Sequence, residues 1–297
     1  MERVELAVGL ELSRIVYGMW RLADDKDTSP ARVQAKIEAC LEQGITSIDQ
    51  ADIYGAYAGE HLLGAALAQA PHLRDKLEIV TKCGIIAPIG KYADVPVKYY
   101  DTGAAHITAS IERSLRKMNV EQIDLLLIHR PDPLMDHFET GRVLDEAVAS
   151  GKVRAVGVSN FLPHDWDLLQ SAMDTRLVTN QIEISLLAHE PLTNGELAFL
   201  QERGVAPMAW SPLAGGALLS SGHSQLNAKL KEIGRRDGVD SMLVAVAWLL
   251  AHPACIMPVI GTNTLQRIAT IPDAFKVNMD RQTWYALYTA ALGHDVP

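Results

Sequence analysis

With 297 residues, 48% hydrophobic and 21% charged, the chain has the composition of an ordinary soluble globular protein, long enough to bury a sizeable core. A formal net charge of −9 without a basic run argues against a nucleic-acid partner, and the longest apolar run, residues 242–251, is about half of the ~20 residues a membrane span needs. Cys40, Cys83 and Cys255 lie far apart in no C-x-x-C arrangement, and the first residues lack a secretory pattern, so a reducing, cytoplasmic setting is expected, with Cys83 a packed strand residue.

Residues 4–12 alternate roughly around Gly9 and predict a hairpin, followed by a first core strand over 15–20. Ser29 and Pro30 offer a cap and a first-turn proline to a helix with Val33, Ile37, Cys40 and Leu41 on one face; Gly44 ends it, and 46–49 is the second strand. The unit then recurs. Helices over 61–70, 104–118, 136–150, 163–173 and 193–202 precede strands over 77–83, 123–128, 153–158, 178–184 and 205–210. Two helical stretches, 225–236 and 241–251, lead to a last strand over 256–260.

Strict alternation implies parallel strands with crossover helices. Eight such strands predict one (β/α)8 barrel domain across 1–297, with an N-terminal β-hairpin and a C-terminal helical tail from Asp280. No Gly-x-Gly-x-x-Gly follows an early strand, so any nucleotide is bound in another way.

In such barrels the chemistry sits at the C-terminal strand ends, and here three consecutive strands end in Asp49, Lys82 and His129, with Tyr54 in the loop after the second. A free phenol titrates near 10, and an ammonium within about 4–6 Å favours the phenolate. Lys82, held by Asp49, is therefore expected to lower the Tyr54 pKa and make it a general acid and base, with His129 orienting a carbonyl. The set holds no nucleophile and no electrons. A redox reaction needs a cofactor, and no metal is expected, since His129-x-x-Asp132 lacks a matching His-rich motif.

These motifs resemble the aldo-keto reductase family. The likeness runs from Asp49-x-Ala51-x-x-Tyr54-Gly55 and Lys82 through Leu127-Ile128-His129-Arg130-Pro131-Asp132, Gly151-Lys152-Val153-Arg154 and Gly157-Val158-Ser159-Asn160-Phe161. It continues in Asn180-Gln181-Ile182-Glu183 and Trp210-Ser211-Pro212-Leu213-Ala214-Gly215-Gly216, and the closing residues 291–297 look most like the bacterial YdhF-type oxidoreductases. The resemblance implies NADPH as hydride donor and Asp49, Tyr54, Lys82 and His129 as catalytic tetrad, acting on the aldehyde or ketone of a small molecule. Ser159, Asn160 and Gln181 would hold the nicotinamide carboxamide, with Trp210 stacked on the ring.

By the same resemblance Ser211, Leu213, Gly215 and Gly216 would approach the pyrophosphate, and Gly18, Met19 and Trp20 would line the mouth. At the adenosine end Gly261 stands where many relatives have Lys; Thr262 and Asn263 carry no charge and Arg267 remains, so NADPH is expected over NADH by a thin margin. Pocket walls are expected from 84–102, from Trp20 and Tyr57, and from the tail, where Trp284 and Tyr288 read rather as packing. A monomer is the family's default. The alternative, a cofactor-binding regulatory subunit with little turnover, also exists within that family.

Overall fold

The computed structural model describes residues 1–296, apart from the side chains of Leu219 and Ser221; Pro297, the last residue of the closing segment, lies outside the described residues. Eight strands close into a barrel in sequence order: β1 (Val16–Gly18), β2 (Ser47–Asp49), β3 (Glu78–Cys83), β4 (Ile123–Ile128), β5 (Val153–Ser159), β6 (Leu177–Glu183), β7 (Met208–Trp210) and β8 (Met257–Ile260). Every neighbouring pair is parallel, and β8 closes on β1 with Val259 opposite Val16.

Strand alternation divides the core in two. Val16, Val80, Leu125, Leu127, Ala155, Met208, Met257 and Val259 fill the barrel, whereas Tyr17, Ile48, Ile79, Cys83, Leu126, Ile128 and Val156 pack outward against the helices. The inward parity is the one that also carries Gly18, Asp49, Lys82, His129, Ser159 and Trp210. Space inside is short: a Cβ on Gly157 would lie 2.8 Å from Leu127 Cδ2.

The expected hairpin forms from Arg3–Ala7 and Leu10–Ser13 and shuts the N-terminal end of the barrel. Leu10 and Leu12 join the inner core; Arg14 donates to the carbonyls of Ile256 and Leu250, and Arg154 to that of Gly9 at 2.6 Å. That end is sealed.

Several helix starts follow side-chain caps. Ser29 accepts from Arg32 N at the head of Pro30–Glu42, and Asp136 accepts from Phe138 N and Glu139 N at the head of His137–Ala149. Several boundaries differ from expectation by two or three residues, as where the first strand stops at Gly18, and two of the differences have local reasons. Pro207 has no N–H for the ladder, so β7 starts at Met208; a 3-10 turn at Glu190–Leu192 and Gly195 at φ +96° delay the next helix to Glu196–Glu202. Helix Pro163–Gln170 ends three residues early. A two-stranded ribbon, Ile85–Ile86 with Tyr99–Tyr100, was not foreseen, because strands of two residues have no readable period.

The tail helix Arg281–Leu292 is capped by Asp280 and packs as expected. Trp284 stacks on Trp248 with ring centres 4.7 Å apart, and Tyr288 is buried. Helix Gly59–Gln69 meets helix Ala104–Met118 so closely that a Cβ on Gly64 would sit 1.9 Å from the Lys117 carbonyl oxygen. Gly64→Ala is therefore expected to destabilise the fold by about 3 kcal/mol, the upper range for overpacking a tight contact. Urea unfolding checks it; an unchanged midpoint would show that the two helices can part at no cost.

Candidate active site

Parallel register lays the strand ends out as a staircase. Asp49 lies opposite Val80, so Lys82 stands two residues further along β3; Lys82 lies opposite Leu127, so His129 stands two residues beyond that. The chain then bends Tyr54 back over the stair. Lys82 Nζ donates to Asp49 Oδ2 at 2.8 Å, to the Gln50 carbonyl at 2.9 Å and to Tyr54 Oη at 2.8 Å. The Tyr54 and His129 rings meet edge to face, 6.1 Å apart. The four residues that the sequence singled out thus share one site.

Burial decides how they ionise. Burial, the Asp49 charge and the long 3.4 Å hydrogen bond to Asp49 raise the Tyr54 pKa well above its ordinary value. This corrects the expectation of a lowered phenol pKa: the loss of water and the carboxylate outweigh the opposing Arg130 charge. Burial likewise lowers Lys82, opposed by Asp49, and lowers His129 far below the usual imidazole value, with Lys82, Arg130 and Lys98 adding to the effect. A protonated phenol therefore faces a neutral imidazole whose Nδ1 is buried without a hydrogen-bond partner.

The turn that carries Tyr54 is unusual. Gly55, Ala56 and Tyr57 all take positive φ, +57°, +53° and +69°. Glycine adopts this freely, whereas each non-glycine residue costs about 1–2 kcal/mol there. Tyr57, expected on a pocket wall, is 4% exposed and packed instead under the 84–102 loop, because its hydroxyl serves that loop's backbone.

The residues expected around the cofactor form a connected rim. Gln181 Nε2 donates to Asp49 Oδ1 at 2.8 Å, Ser159 Oγ donates to the Gln181 carbonyl, and Asn160 donates to Ser159 Oγ while accepting from Trp210 Nε1 at 2.9 Å. Gln181 thus fixes the deep carboxylate, a link that sequence spacing does not carry. Arg130, quoted in the motif without a role, lies with its guanidinium 5.6 Å over the Trp210 ring.

Gly18 and Gly261 abut, since a Cβ on Gly261 would come within 2.9 Å of the Gly18 oxygen, and Gly215 and Gly216 have φ +64° and +101°. Trp20 is 57% exposed; Met19 is buried against Gln50; Ser211 and Leu213 are half-buried, and Arg267 is exposed. Thr262 accepts from Tyr17 through its carbonyl. Asn263 commits its side chain to protein partners, accepting from Lys36 and donating to the Arg21 carbonyl. Lys36, wholly buried and paired with Asp25 at 2.6 Å, gave no sequence signal because it occupies an apparently solvated helix position. Close-approaching glycines, a flat indole and a nearby arginine suit a dinucleotide lying across this rim. Among the described residues no cluster of His, Cys, Asp or Glu could hold a metal ion, and no helix is long and apolar enough to cross a membrane.

The chain is similar to known proteins in sequence and fold. The model of the Aldo/keto reductase family matches residues 14–290. Over the whole of both chains the sequence is 64% identical to a 6-dehydroglucose reductase of Agrobacterium fabrum and 42% identical to oxidoreductase YdhF of Escherichia coli. The solved structure of the thermostable aldo-keto reductase Tm1743 with the inhibitor epalrestat superposes with a TM-score of 0.83 at 26% identity, covering 98% of this chain and 100% of that one.

Behind Lys82, Asp52 is buried with both carboxyl oxygens unpartnered; burial and Glu60 raise its pKa to about 7, against the pull of Lys91, Arg113 and Lys117. An unfolded aspartate releases its proton near 4. Between ~4 and ~7 the folded chain therefore binds more protons, and this contribution to stability, full below ~4, is lost as pH rises through 7. His129, depressed, acts in the opposite sense. Urea unfolding at pH 5 to 8 is expected to show Asp52→Asn gaining stability relative to the parent as pH rises, by a few kcal/mol at most. A constant difference between the two would place the Asp52 proton elsewhere.

Proposed function

The chain belongs to the aldo/keto reductase family of oxidoreductases, and from that premise we propose that it reduces the carbonyl of a small molecule to an alcohol with NADPH. One observation carries the reading: the Lys82 ammonium bridges Asp49 and the Tyr54 hydroxyl at 2.8 Å each. Bound NADPH would supply the hydride; Ser159, Asn160, Gln181 and Trp210 would hold its nicotinamide end, and Gly18, Ser211, Leu213, Gly215, Gly216, Gly261 and Arg267 the rest.

The protein's own part is the proton. Tyr54, kept protonated by burial and by Asp49, gives its hydroxyl proton to the carbonyl oxygen as charge develops there. Lys82, already donating to Tyr54 Oη, stabilises the phenolate left behind, and Asp49 with the Gln50 carbonyl holds the ammonium in place. Neutral His129 can donate a ring N–H to the same oxygen and fix its direction. Water is excluded around Lys82, which is wholly buried, so each of these interactions is stronger than in solvent.

For the substrate, the 6-dehydroglucose reductase relative at 64% identity supports an aldehyde sugar, 6-dehydroglucose first among those to test. Arg267 supports NADPH over NADH, and the absence of a lysine at Gly261 keeps the margin small.

The test is oxidation of NADPH or NADH followed at the nicotinamide absorbance, with 6-dehydroglucose alongside other aldehydes and ketones. Turnover that needs both partners is expected, faster with NADPH; equal efficiency with NADH would remove the role given to Arg267. In Tyr54→Phe kcat is expected to fall by about 10²–10⁴-fold with NADPH affinity kept within about twofold. Near-normal turnover in that variant would refute Tyr54 as the proton donor.

A further inference from the structure

Two stretches of chain run side by side at the mouth, and they are tied at both ends. At one end Lys82 Nζ donates to Tyr54 Oη at 2.8 Å; three residues on along each stretch, Tyr57 Oη donates to the Ile85 carbonyl at 3.0 Å. The Tyr57 hydroxyl also accepts from Ala87 N at 3.1 Å, so it occupies the ribbon edge where a third strand would pair. It is one hydroxyl satisfying two backbone groups.

We propose that Tyr57 is a positioning residue for proton transfer: its anchorage on the Ile85–Ala87 edge holds the strained turn that aims Tyr54 at Lys82 and the substrate. The proposal rests on the reading of Tyr54 as the proton donor. The intervening residues, Gly55 and Ala56, are both left-handed, as is Tyr57 itself, and a turn of that kind relaxes unless its surroundings hold it. The surroundings do so from three directions. Lys117 Nζ, on helix Ala104–Met118, donates to the Tyr57 carbonyl at 2.6 Å; Tyr92 packs edge-on to the Tyr57 ring at 5.1 Å with the Lys91 ammonium 4.9 Å above it. Gly90 lies so close that a Cβ there would come within 2.1 Å of the Ala56 oxygen. Cutting the tie at Ile85 removes the hydroxyl anchor between this turn and the Ile85–Ala87 edge.

Tyr57→Phe removes that tie and keeps the ring. Measured beside the parent with NADPH and the best carbonyl substrate, it is expected to lose on the order of tenfold in kcat, the scale of a small misplacement of a reacting group. NADPH affinity stays within about twofold, the melting temperature falls by only several degrees as the Ile85 carbonyl and Ala87 N–H lose their partner, and the solvent deuterium isotope effect on kcat rises as proton delivery slows. A kcat within about twofold of the parent overturns the proposal. So does a loss of kcat matched by equal losses of cofactor affinity and fold, which is ordinary packing. Should Tyr57→Phe fail to fold, Lys117→Met, which removes the donor to the Tyr57 carbonyl, is read by the same criteria. A parent that reduces no carbonyl sinks the proposed function and the positioning role with it; an active parent with an equally active Tyr57→Phe sinks the positioning role alone.

Discussion

An ammonium has three N–H groups, and at Lys82 all three are taken up inside the protein, by a carboxylate, a backbone carbonyl and a phenol. A charge wholly removed from water is tolerable only on such terms, since breaking one buried partner leaves the other uncompensated at about 3–5 kcal/mol. The three acceptors come from a strand end and the loop beyond it, and Gln181 steadies the carboxylate from across the barrel. The closed sheet is what puts the sixth strand within reach of the second. An open sheet of the same strands would leave Gln181 and Asp49 far apart, and the ammonium less firmly held.

The electrostatics of the mouth follow from that pair. Removing water raises the phenol and lowers the imidazole, so both groups rest in their neutral, hydrogen-donating forms. The site is thus prepared for a developing negative oxygen before any arrives. On the proposed mechanism Lys82 would serve the later moment, when the phenol has lost its proton and a charge must be held. A single side chain, buried and fully bonded, would then support both states. Asp52 behind it, pushed up to about 7 by burial and by Glu60, adds little negative charge below that pH.

Much of this was legible in the sequence. Apolar runs broken by caps and glycines gave eight strands and their helices to within a few residues, and the polar ends at Asp49, Lys82 and His129 stood out because buried strands have no ordinary use for them. Family resemblance named the rim. What stayed hidden depends on contacts between distant residues: Lys36 reads as a surface lysine until Asp25 and Asn263 enclose it, and Tyr57 reads as a pocket aromatic until its hydroxyl meets the Ile85–Ala87 edge. The direction of the Tyr54 shift was misjudged because spacing reveals which charges are near but not how much water is excluded. Left-handed backbone at Ala56 and Tyr57 carries no sequence mark at all.

The hairpin of residues 3–13 does more than cover apolar side chains. With Leu10 and Leu12 plugged into the inner core and Arg14 and Arg154 bonded to surrounding carbonyls, the barrel is a cul-de-sac. On the proposed function, cofactor and substrate would share the C-terminal mouth as their doorway, and whichever seats deeper would be first in and last out. Queueing at the mouth, rather than the bond-making beneath it, can then set the pace of each cycle.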